Sequence, residues 1–194
     1  EESYLYVRNE CSEGWISAES AVCRNRAEWL MAAFPIHPLV VTGDMVWLEA
    51  SAVYPGTSAY RLRMGTVLEL CVEEGIPEIK ETIETNRIKG TGAVIETTEA
   101  QAEQRVQNRL SWNNYIVWLP CRAPDGSFFR QKGLIPMSRD VSVGYLRLTN
   151  EEIIKQAFKC LGDRYGWGGM LESRDCSSYI REVYRCFGWI LPRN

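Results

Sequence analysis

The sequence predicts an α+β protein, with a β-rich first part followed by a helical last part. Up to Leu148, short runs of β-branched and aromatic residues alternate with turn signals, and one short helical stretch ends near Ala33. After Thr149 the apolar residues recur at helical spacing in two segments. Strands this short and this closely spaced, with little helix between them, indicate a small barrel.

Turn-forming residues mark where the predicted elements end. Pro35 and Pro38 stop the helical stretch, Gly65 interrupts one strand-like run, and the sequence Pro-Asp-Gly-Ser at 124–127 predicts a hairpin turn. The predicted strands cover 4–7, 39–41, 45–48, 61–70, 112–120 and 141–148. The polar stretch 76–110 has two interpretations, a mobile insertion or a segment with a short solvated helix near its end.

Composition limits the class of protein. Of the 194 residues, 45 % are hydrophobic, which is enough for a packed core in one or two domains. The formal net charge is −3, so the chain has no basic excess with which to bind nucleic acid. No stretch approaches the roughly 20 apolar residues that span a bilayer, so no membrane span is expected.

The seven cysteines are odd in number and contain no Cys-x-x-Cys pair. This pattern argues against a full disulfide framework and against a cysteine-rich zinc site, and no metal or cofactor is predicted. Most of the cysteines are expected to be small buried hydrophobes. The seven tryptophans are mostly interpreted as core or groove residues.

Two helices are predicted in the last part of the chain. Thr149 and Glu152 fit a capping box at the start of the first helix, and Gly162 follows its end. The apolar face of this helix comprises Ile153, Ile154, Ala157, Phe158 and Leu161. The second helix runs from about Cys176 to Phe187. Its apolar face comprises Ile180, Val183, Tyr184 and Phe187.

The segment between these helices concentrates the chemistry. It contains four glycines, at positions 162, 166, 168 and 169, so its backbone can approach a ligand closely. Cys176 begins the second helix, and Asp175 is a natural N-cap for it. Because a helix N-terminus carries partial positive charge and unpaired N–H groups, it favours the thiolate form of such a cysteine. Position alone leaves two interpretations of Cys176, a nucleophile or a core residue.

A wider pattern surrounds Cys176. It comprises Gly162, Tyr165, Trp167-Gly168-Gly169, Asp175-Cys176-Ser177, Tyr184, Phe187-Gly188 and Leu191-Pro192-Arg193. In order and spacing these residues resemble the NlpC/P60 family of papain-like cell-wall peptidases. Residues 13–16, 40–44, 64–66 and 144–149 are similar to the paired bacterial SH3 modules that precede this domain in γ-D-glutamyl-L-diamino acid endopeptidases.

The resemblance implies SH3-like β-barrel modules followed by the N-terminal portion of a papain-like α+β peptidase domain. Residues 1–34 are then the tail of a first SH3-like module, 35–147 a second module that contains the 76–110 insertion, and 148–194 the start of the peptidase domain. On this expectation both ends are cuts through a longer bacterial protein. The sequence therefore leaves open the oligomeric state and the choice between the cell envelope and a cytoplasmic role in recycling.

The resemblance also implies a role for each candidate residue. Cys176 is the nucleophile that attacks the carbonyl of the γ-D-Glu–diamino acid bond in a murein peptide. The Cys176 backbone N–H and the Tyr165 hydroxyl hold the oxyanion. Asp175 binds the free amine of the substrate's L-Ala, Ser177 lies near the γ-D-Glu, and Trp167 lies near the substrate.

Histidine is the main departure from the family's pattern. The family's base and its orienting partner follow the Leu-Pro-Arg segment, whereas the only histidine here is His37, which is interpreted as an ordinary loop residue. These 194 residues are therefore not expected to turn over substrate efficiently. The alternative function is a non-catalytic SH3-type binding protein for wall peptides, with a degenerate peptidase domain. The Asp175-Cys176-Ser177 unit favours the peptidase, since a binding module does not require a thiol there.

Overall fold

The computed structural model describes residues 3–8, 13–71 and 112–192. The strands are β1 (Tyr4–Arg8), β2 (Glu13–Ser17), β3 (Pro38–Val41), β4 (Met45–Trp47), β5 (Arg61–Arg63), β6 (Val67–Leu70), β7 (Asn114–Arg122), β8 (Phe128–Pro136) and β9 (Val141–Val143). The α-helices are α1 (Arg26–Ala33), α2 (Asn150–Phe158) and α3 (Cys176–Arg185). None of these helices has the length and apolarity needed to cross a membrane. The polar stretch 76–110 lies outside the described residues, so its two interpretations stay predictions.

The chain is a mixed α+β protein with mostly antiparallel sheets. One sheet has five strands in the order β8-β7-β6-β3-β9, while β1–β2 and β4–β5 form separate two-stranded ladders. The described strands do not close into a barrel, so the expectation of a closed barrel is wrong for this part of the chain. The reason is that β8 and β9 are the two edge strands of this sheet and do not pair with each other. Strand β4, which could have joined them, pairs with β5 in a separate ladder.

Strand β3 lies at the centre of the hydrophobic core. Leu39, Val40 and Val41 are fully buried, and because successive side chains of a strand point to opposite faces, they reach two different clusters. Leu39 and Val41 belong to the first cluster, with Val46, Leu48, Leu62, Leu68, Leu70, Val117, Leu119 and Ile135. Val40 belongs to the second cluster, with Met64, Cys160, Val183, Cys186 and Phe187. The second cluster attaches the helical part of the chain to the sheet.

Polar contacts fix α2 against the turn between β3 and β4. The side-chain amide of Gln156 and the ammonium of Lys159 each donate to the backbone carbonyl of Thr42 at 3.1 Å. Lys159 also forms an ion pair with Asp140, with 2.7 Å between the charged atoms. Thr149 is the N-cap of α2, as predicted. The position of this helix is therefore set by its polar residues as well as by its apolar ones.

The predicted apolar faces of the two helices are only partly buried. Ile154, Phe158 and Leu161 are exposed, although they lie on the predicted core face of the first helix. The buried side chain of α2 is Gln156, because its amide reaches the backbone of the β3–β4 turn. On α3, Val183 is buried as predicted and Ile180 is exposed.

The last predicted strand is shorter than expected. Strand β9 ends at Val143, and the chain turns at Gly144, whose φ is +81°. The N–H of Leu146 then donates to the carbonyl of Cys186 at 2.9 Å, so this segment contacts the end of α3 and leaves the sheet. A positive φ at glycine therefore divides what the sequence pattern reads as one continuous strand.

The tryptophans do not fill the core, so the core part of their interpretation is wrong, while the groove part stays a prediction. All seven lie among the described residues, where Trp118 is half-buried and the other six are exposed. The buried clusters consist mainly of aliphatic side chains. The cysteine prediction holds for Cys71, Cys160 and Cys186, which are buried, and the described cysteines are all free. Cys23 is exposed, so it is not one of the small core residues.

Gly65 lets α3 approach the turn between β5 and β6, and the variant Gly65→Ala tests this. Its φ is +76°, and a Cβ there would lie 2.8 Å from the carbonyl oxygen of Glu182. We expect a loss of about 1–2 kcal/mol from the left-handed backbone and about 1–3 kcal/mol more from the collision. Urea denaturation measures the total loss in the free energy of unfolding. Gly144→Ala is the matched control, because its φ is +81° but nothing lies within 4 Å of the added Cβ. Equal losses of stability in Gly65→Ala and Gly144→Ala would show that the contact between the added Cβ and α3 has no energetic cost.

Candidate active site

Cys176 is the first residue of α3, and Asp175 caps that helix. The Asp175 carboxylate accepts a hydrogen bond from the N–H of Ser178 at 2.8 Å, and the Ser178 hydroxyl accepts one from the Asp175 N–H at 2.8 Å. The Ser177 hydroxyl donates to the same carboxylate oxygen at 3.0 Å. This reciprocal capping box fixes the start of the helix and leaves the Cys176 side chain exposed there.

The hydroxyl of Tyr165 faces the thiol. It donates to Sγ of Cys176, with 3.9 Å between the two atoms. A β-bridge between Tyr165 and Arg174 holds their segments side by side, and the N–H of Gly166 donates to the Arg174 carbonyl at 2.8 Å. The hydrogen bond to Cys176 raises the pKa of Tyr165 above its ordinary value, so the phenol keeps its proton and remains a donor beside the sulfur.

The loop between Tyr165 and the second helix depends on glycine. Gly168 and Gly169 have φ values of +64° and +87°, in the left-handed region that favours glycine. Trp167 precedes them and is 79 % exposed. The loop therefore presents a large aromatic side chain to solvent next to a backbone that other residues adopt only with strain.

A cavity of about 300 Å³ opens beside Cys176. Three of the predicted site residues, Tyr165, Asp175 and Cys176, line it together. The rest of its lining comprises Cys160, Asp163, Arg164, Arg174 and Tyr179, to which the sequence pattern assigned no role. Ser177 reaches this group through its hydrogen bond to Asp175, and Trp167 is not one of the lining residues.

Arg174 lines this cavity although its side chain is only 6 % exposed. The guanidinium forms ion pairs with the carboxylates of Asp44, Asp163 and Glu182. Its Nε lies 2.6 Å from the Glu182 carboxylate, and its Nη2 donates to the backbone carbonyl of Asp44 at 2.9 Å. The only local signal in the sequence is its place before Asp175. The partner Asp44 is 130 residues away, beyond the reach of any helix or strand periodicity.

One group of side chains has the donor types of a metal site. The ligand atoms of Asp44, Cys160 and Asp163 all lie within 4.8 Å of one another, and such a set could hold a metal ion. The Arg174 guanidinium, however, forms ion pairs with both carboxylates of this set. The positive charge that these carboxylates need is therefore already supplied by the protein.

His37, the only histidine of the chain, lies in a different part of the molecule. Its Nδ1 is 3.4 Å from a carboxylate oxygen of Glu69. Together with Trp118 and Arg130 it lines a separate cavity of about 400 Å³. The imidazole of His37 is therefore not the base for Cys176 in this structure.

No protein-family model matches the chain, and no curated protein matches it. The functional argument therefore depends on the residues of the cavity. An exposed thiol at a helix N-terminus can act as a nucleophile towards a carbonyl group. The hydroxyl donor 3.9 Å from its sulfur can stabilise the oxyanion of the intermediate that forms. The same cavity offers the Asp175 carboxylate as a partner for a cationic group.

Iodoacetamide at pH 8 is expected to alkylate Cys176 in the native protein and to spare Cys160 and Cys186. Both spared thiols are buried, and burial raises their pKa, that of Cys160 to about 11. Peptide mass spectrometry gives the rate at each site. Cys23 is the control, because it is exposed but does not begin a helix, and Cys176 should react at least as fast. Faster labelling of Cys160 than of Cys176 would contradict this assignment.

Proposed function

We propose that this chain carries the nucleophile and part of the substrate groove of a cysteine endopeptidase. The bond cut is the γ-D-Glu–diamino acid bond of cell-wall peptides that have a free N-terminal L-Ala. The observation that carries the proposal is the hydrogen bond from the Tyr165 hydroxyl to Cys176 Sγ at the start of α3. The resemblance of the residue pattern to NlpC/P60 peptidases with SH3-like modules supports the choice of bond and substrate.

In the proposed reaction the Cys176 thiolate adds to the carbonyl carbon of γ-D-Glu, and the carbonyl oxygen becomes an oxyanion. The Tyr165 hydroxyl donates a hydrogen bond to that oxyanion. The N–H of Cys176 donates a second, because backbone donors in the first turn of a helix lack partners within it. Collapse of the intermediate breaks the C–N bond, and the departing amine takes the proton that the general base had removed from the Cys176 thiol. Water then hydrolyses the thioester and regenerates the thiol.

Substrate recognition in this proposal begins with charge. The Asp175 carboxylate lines the cavity and complements the free amine of L-Ala, which is cationic at neutral pH. Ser177 is placed near the γ-D-Glu through its hydrogen bond to Asp175. The exposed ring of Trp167 lies on the loop that follows Tyr165, where it can cover an extended peptide.

The reaction requires a general base, and among the described residues no imidazole lies beside Cys176. His37 is the only histidine of the sequence, and it pairs with Glu69 in another cavity. In this proposal the imidazole is supplied by another segment of the parent protein. The same observation favours a second candidate function, a non-catalytic SH3-type protein that binds wall peptides and has a degenerate peptidase domain. The two candidates share the substrate and differ in whether the peptide bond is cut.

Cleavage of L-Ala-γ-D-Glu-diaminopimelate distinguishes the two functions. We expect the 194-residue chain to bind this peptide without detectable hydrolysis, since it lacks the base. The whole protein of the parent gene should hydrolyse it, and Cys176→Ala should abolish cleavage while leaving the affinity for the peptide within about twofold. Liquid chromatography of the products measures the rate, with Cys23→Ala as the matched control that retains it. Binding without cleavage by the whole protein would favour the second function, and cleavage by Cys176→Ala would exclude the proposed mechanism.

The two tasks assigned to Asp175, helix capping and amine binding, can be separated by substitution. Asp175→Asn keeps an oxygen that accepts from Ser178, so the free energy of unfolding should change by less than about 0.5 kcal/mol. Its loss of charge should weaken peptide binding about 10- to 150-fold, as expected for a charge-assisted hydrogen bond worth about 1.5–3 kcal/mol. Asp175→Ala should weaken binding similarly and lose about 1 kcal/mol of stability. Calorimetric titration with the free and the N-acetylated peptide measures the effect. If Asp175→Asn bound the free peptide as tightly as the unsubstituted chain does, the amine-binding role would be refuted.

A further inference from the structure

We propose that Arg174 is a positioning residue, whose buried guanidinium holds the Tyr165 hydroxyl against the Cys176 thiol through ion pairs with a cluster of three carboxylates. The cluster includes Asp44 in the β3–β4 turn, so the strand-rich part of the chain takes part in building the site. The inference rests on the proposed function, because it assigns Arg174 a task in the chemistry of Cys176. Arg174 acts through its neighbours in the chain and does not itself touch the sulfur.

The first line of evidence is where the guanidinium partners come from. Asp44 lies between β3 and β4, Asp163 follows α2, and Glu182 lies in α3. A single side chain thus connects three segments of the fold, one of which is 130 residues away in sequence. Because Nη2 also donates to the Asp44 backbone carbonyl at 2.9 Å, the guanidinium contacts the main chain of the turn as well as its side chain.

The second line of evidence is the backbone of Arg174. Its carbonyl accepts from the N–H of Gly166 at 2.8 Å, and its β-bridge partner is Tyr165. In the other direction it is followed directly by Asp175, the N-cap of α3, and then by Cys176. Arg174 is therefore linked to Tyr165 across the β-bridge and to Cys176 along the chain. A shift of its backbone changes the distance between the Tyr165 hydroxyl and the Cys176 sulfur.

The chemistry of the cluster explains why arginine occupies this position. A charged side chain that is 6 % exposed is stable only when its partners surround it, because removing an ion from water costs several kcal/mol. The planar guanidinium offers five donors in a fixed fork and can contact several carboxylates at once, whereas the ammonium of lysine is a point charge. Arg63 adds a second cation to the cluster, 3.3 Å from the Glu182 carboxylate.

A purely structural role would stabilise the fold without affecting the thiol, so the test must measure the thiol. The charged or titratable groups that share the cavity with Cys176 are Cys160, Asp163, Arg164, Tyr165, Arg174, Asp175 and Tyr179. Arg174→Lys keeps the net charge of this set and removes only the fork geometry. A change in the reactivity of Cys176 in that variant therefore reports on position.

The experiment compares Arg174→Lys with the wild-type chain. The readout is the rate of Cys176 alkylation by iodoacetamide between pH 5 and pH 10, resolved by peptide mass spectrometry, with near-ultraviolet circular dichroism as the check on folding. We expect the rate at pH 7 to fall about three- to tenfold, and the pH profile of the rate to change, because the Tyr165 hydroxyl no longer donates to the sulfur. Arg122→Lys is the matched control. Its Nε also donates to a backbone carbonyl, that of Ala21 at 3.2 Å, but it lies on β7.

Two further variants keep the inference testable if Arg174→Lys does not fold. Asp44→Asn removes one partner whose side chain is already 34 % exposed, and it should lower the same rate about two- to fivefold. In a Tyr165→Phe background, Asp44→Asn and Arg174→Lys should have no further effect, since the hydroxyl through which they act is gone. An unchanged pH profile in any folded variant, Asp44→Asn or Arg174→Lys, would overturn the positioning role. Equal effects with and without the Tyr165 hydroxyl would overturn it too.

Failure of this inference differs from failure of the proposed function. Alkylation of Cys176 needs neither a wall peptide nor a histidine. If the whole protein does not cleave the peptide but the alkylation profiles change as expected, the peptidase proposal fails and the positioning role stands. If cleavage is observed and the profiles do not change, the peptidase proposal stands and Arg174 is only a structural residue.

Discussion

The buried guanidinium of Arg174 is the constraint on which the arrangement of this molecule depends. Its three carboxylate partners come from the β3–β4 turn, the loop after α2, and α3. A buried charge without its partners costs several kcal/mol, so the cluster is stable only when all three segments are in place. The cluster therefore selects the arrangement in which Tyr165 and Cys176 meet, because both lie within a few residues of it along the chain or across the β-bridge.

Hydrophobic packing along the same helix supports this arrangement. Val183 and Cys186 of the α3 region join Val40 of strand β3 in one buried cluster. Gly65 allows the backbone of α3 to come this close, since any larger side chain at that position would meet the carbonyl of Glu182. Glu182 thus belongs to the carboxylate cluster through its side chain and to the packing contact through its backbone. Helix α3 therefore contains the thiol, a residue of the hydrophobic core and a residue of the charge network.

The parts of the site that could be predicted from sequence are those that depend on local geometry. Asp175 is an N-cap and Cys176 is the first residue of its helix, because capping depends only on residues within one turn. The proximity of Tyr165 to Cys176 was implied only by the family resemblance, since the two residues are eleven positions apart across a glycine-rich loop. The partners of Arg174 could not be predicted, because ion pairs between distant segments leave no periodic signal in the chain. The exposure of Ile154 and Phe158 was missed for a related reason: periodicity identifies an apolar stripe but not what covers it.

The α+β class, the positions of most strands and helices, the break at Gly65 and the place of Cys176 at the start of a helix can be predicted from the sequence alone. These follow from backbone preferences and periodicities that act over a few residues. Only the tertiary structure decided that the sheets stay open, that the core is aliphatic with the tryptophans outside it, and that Arg174 is buried among three carboxylates. Those outcomes depend on which distant segments share the available buried volume and charge, and no short stretch of residues contains that information.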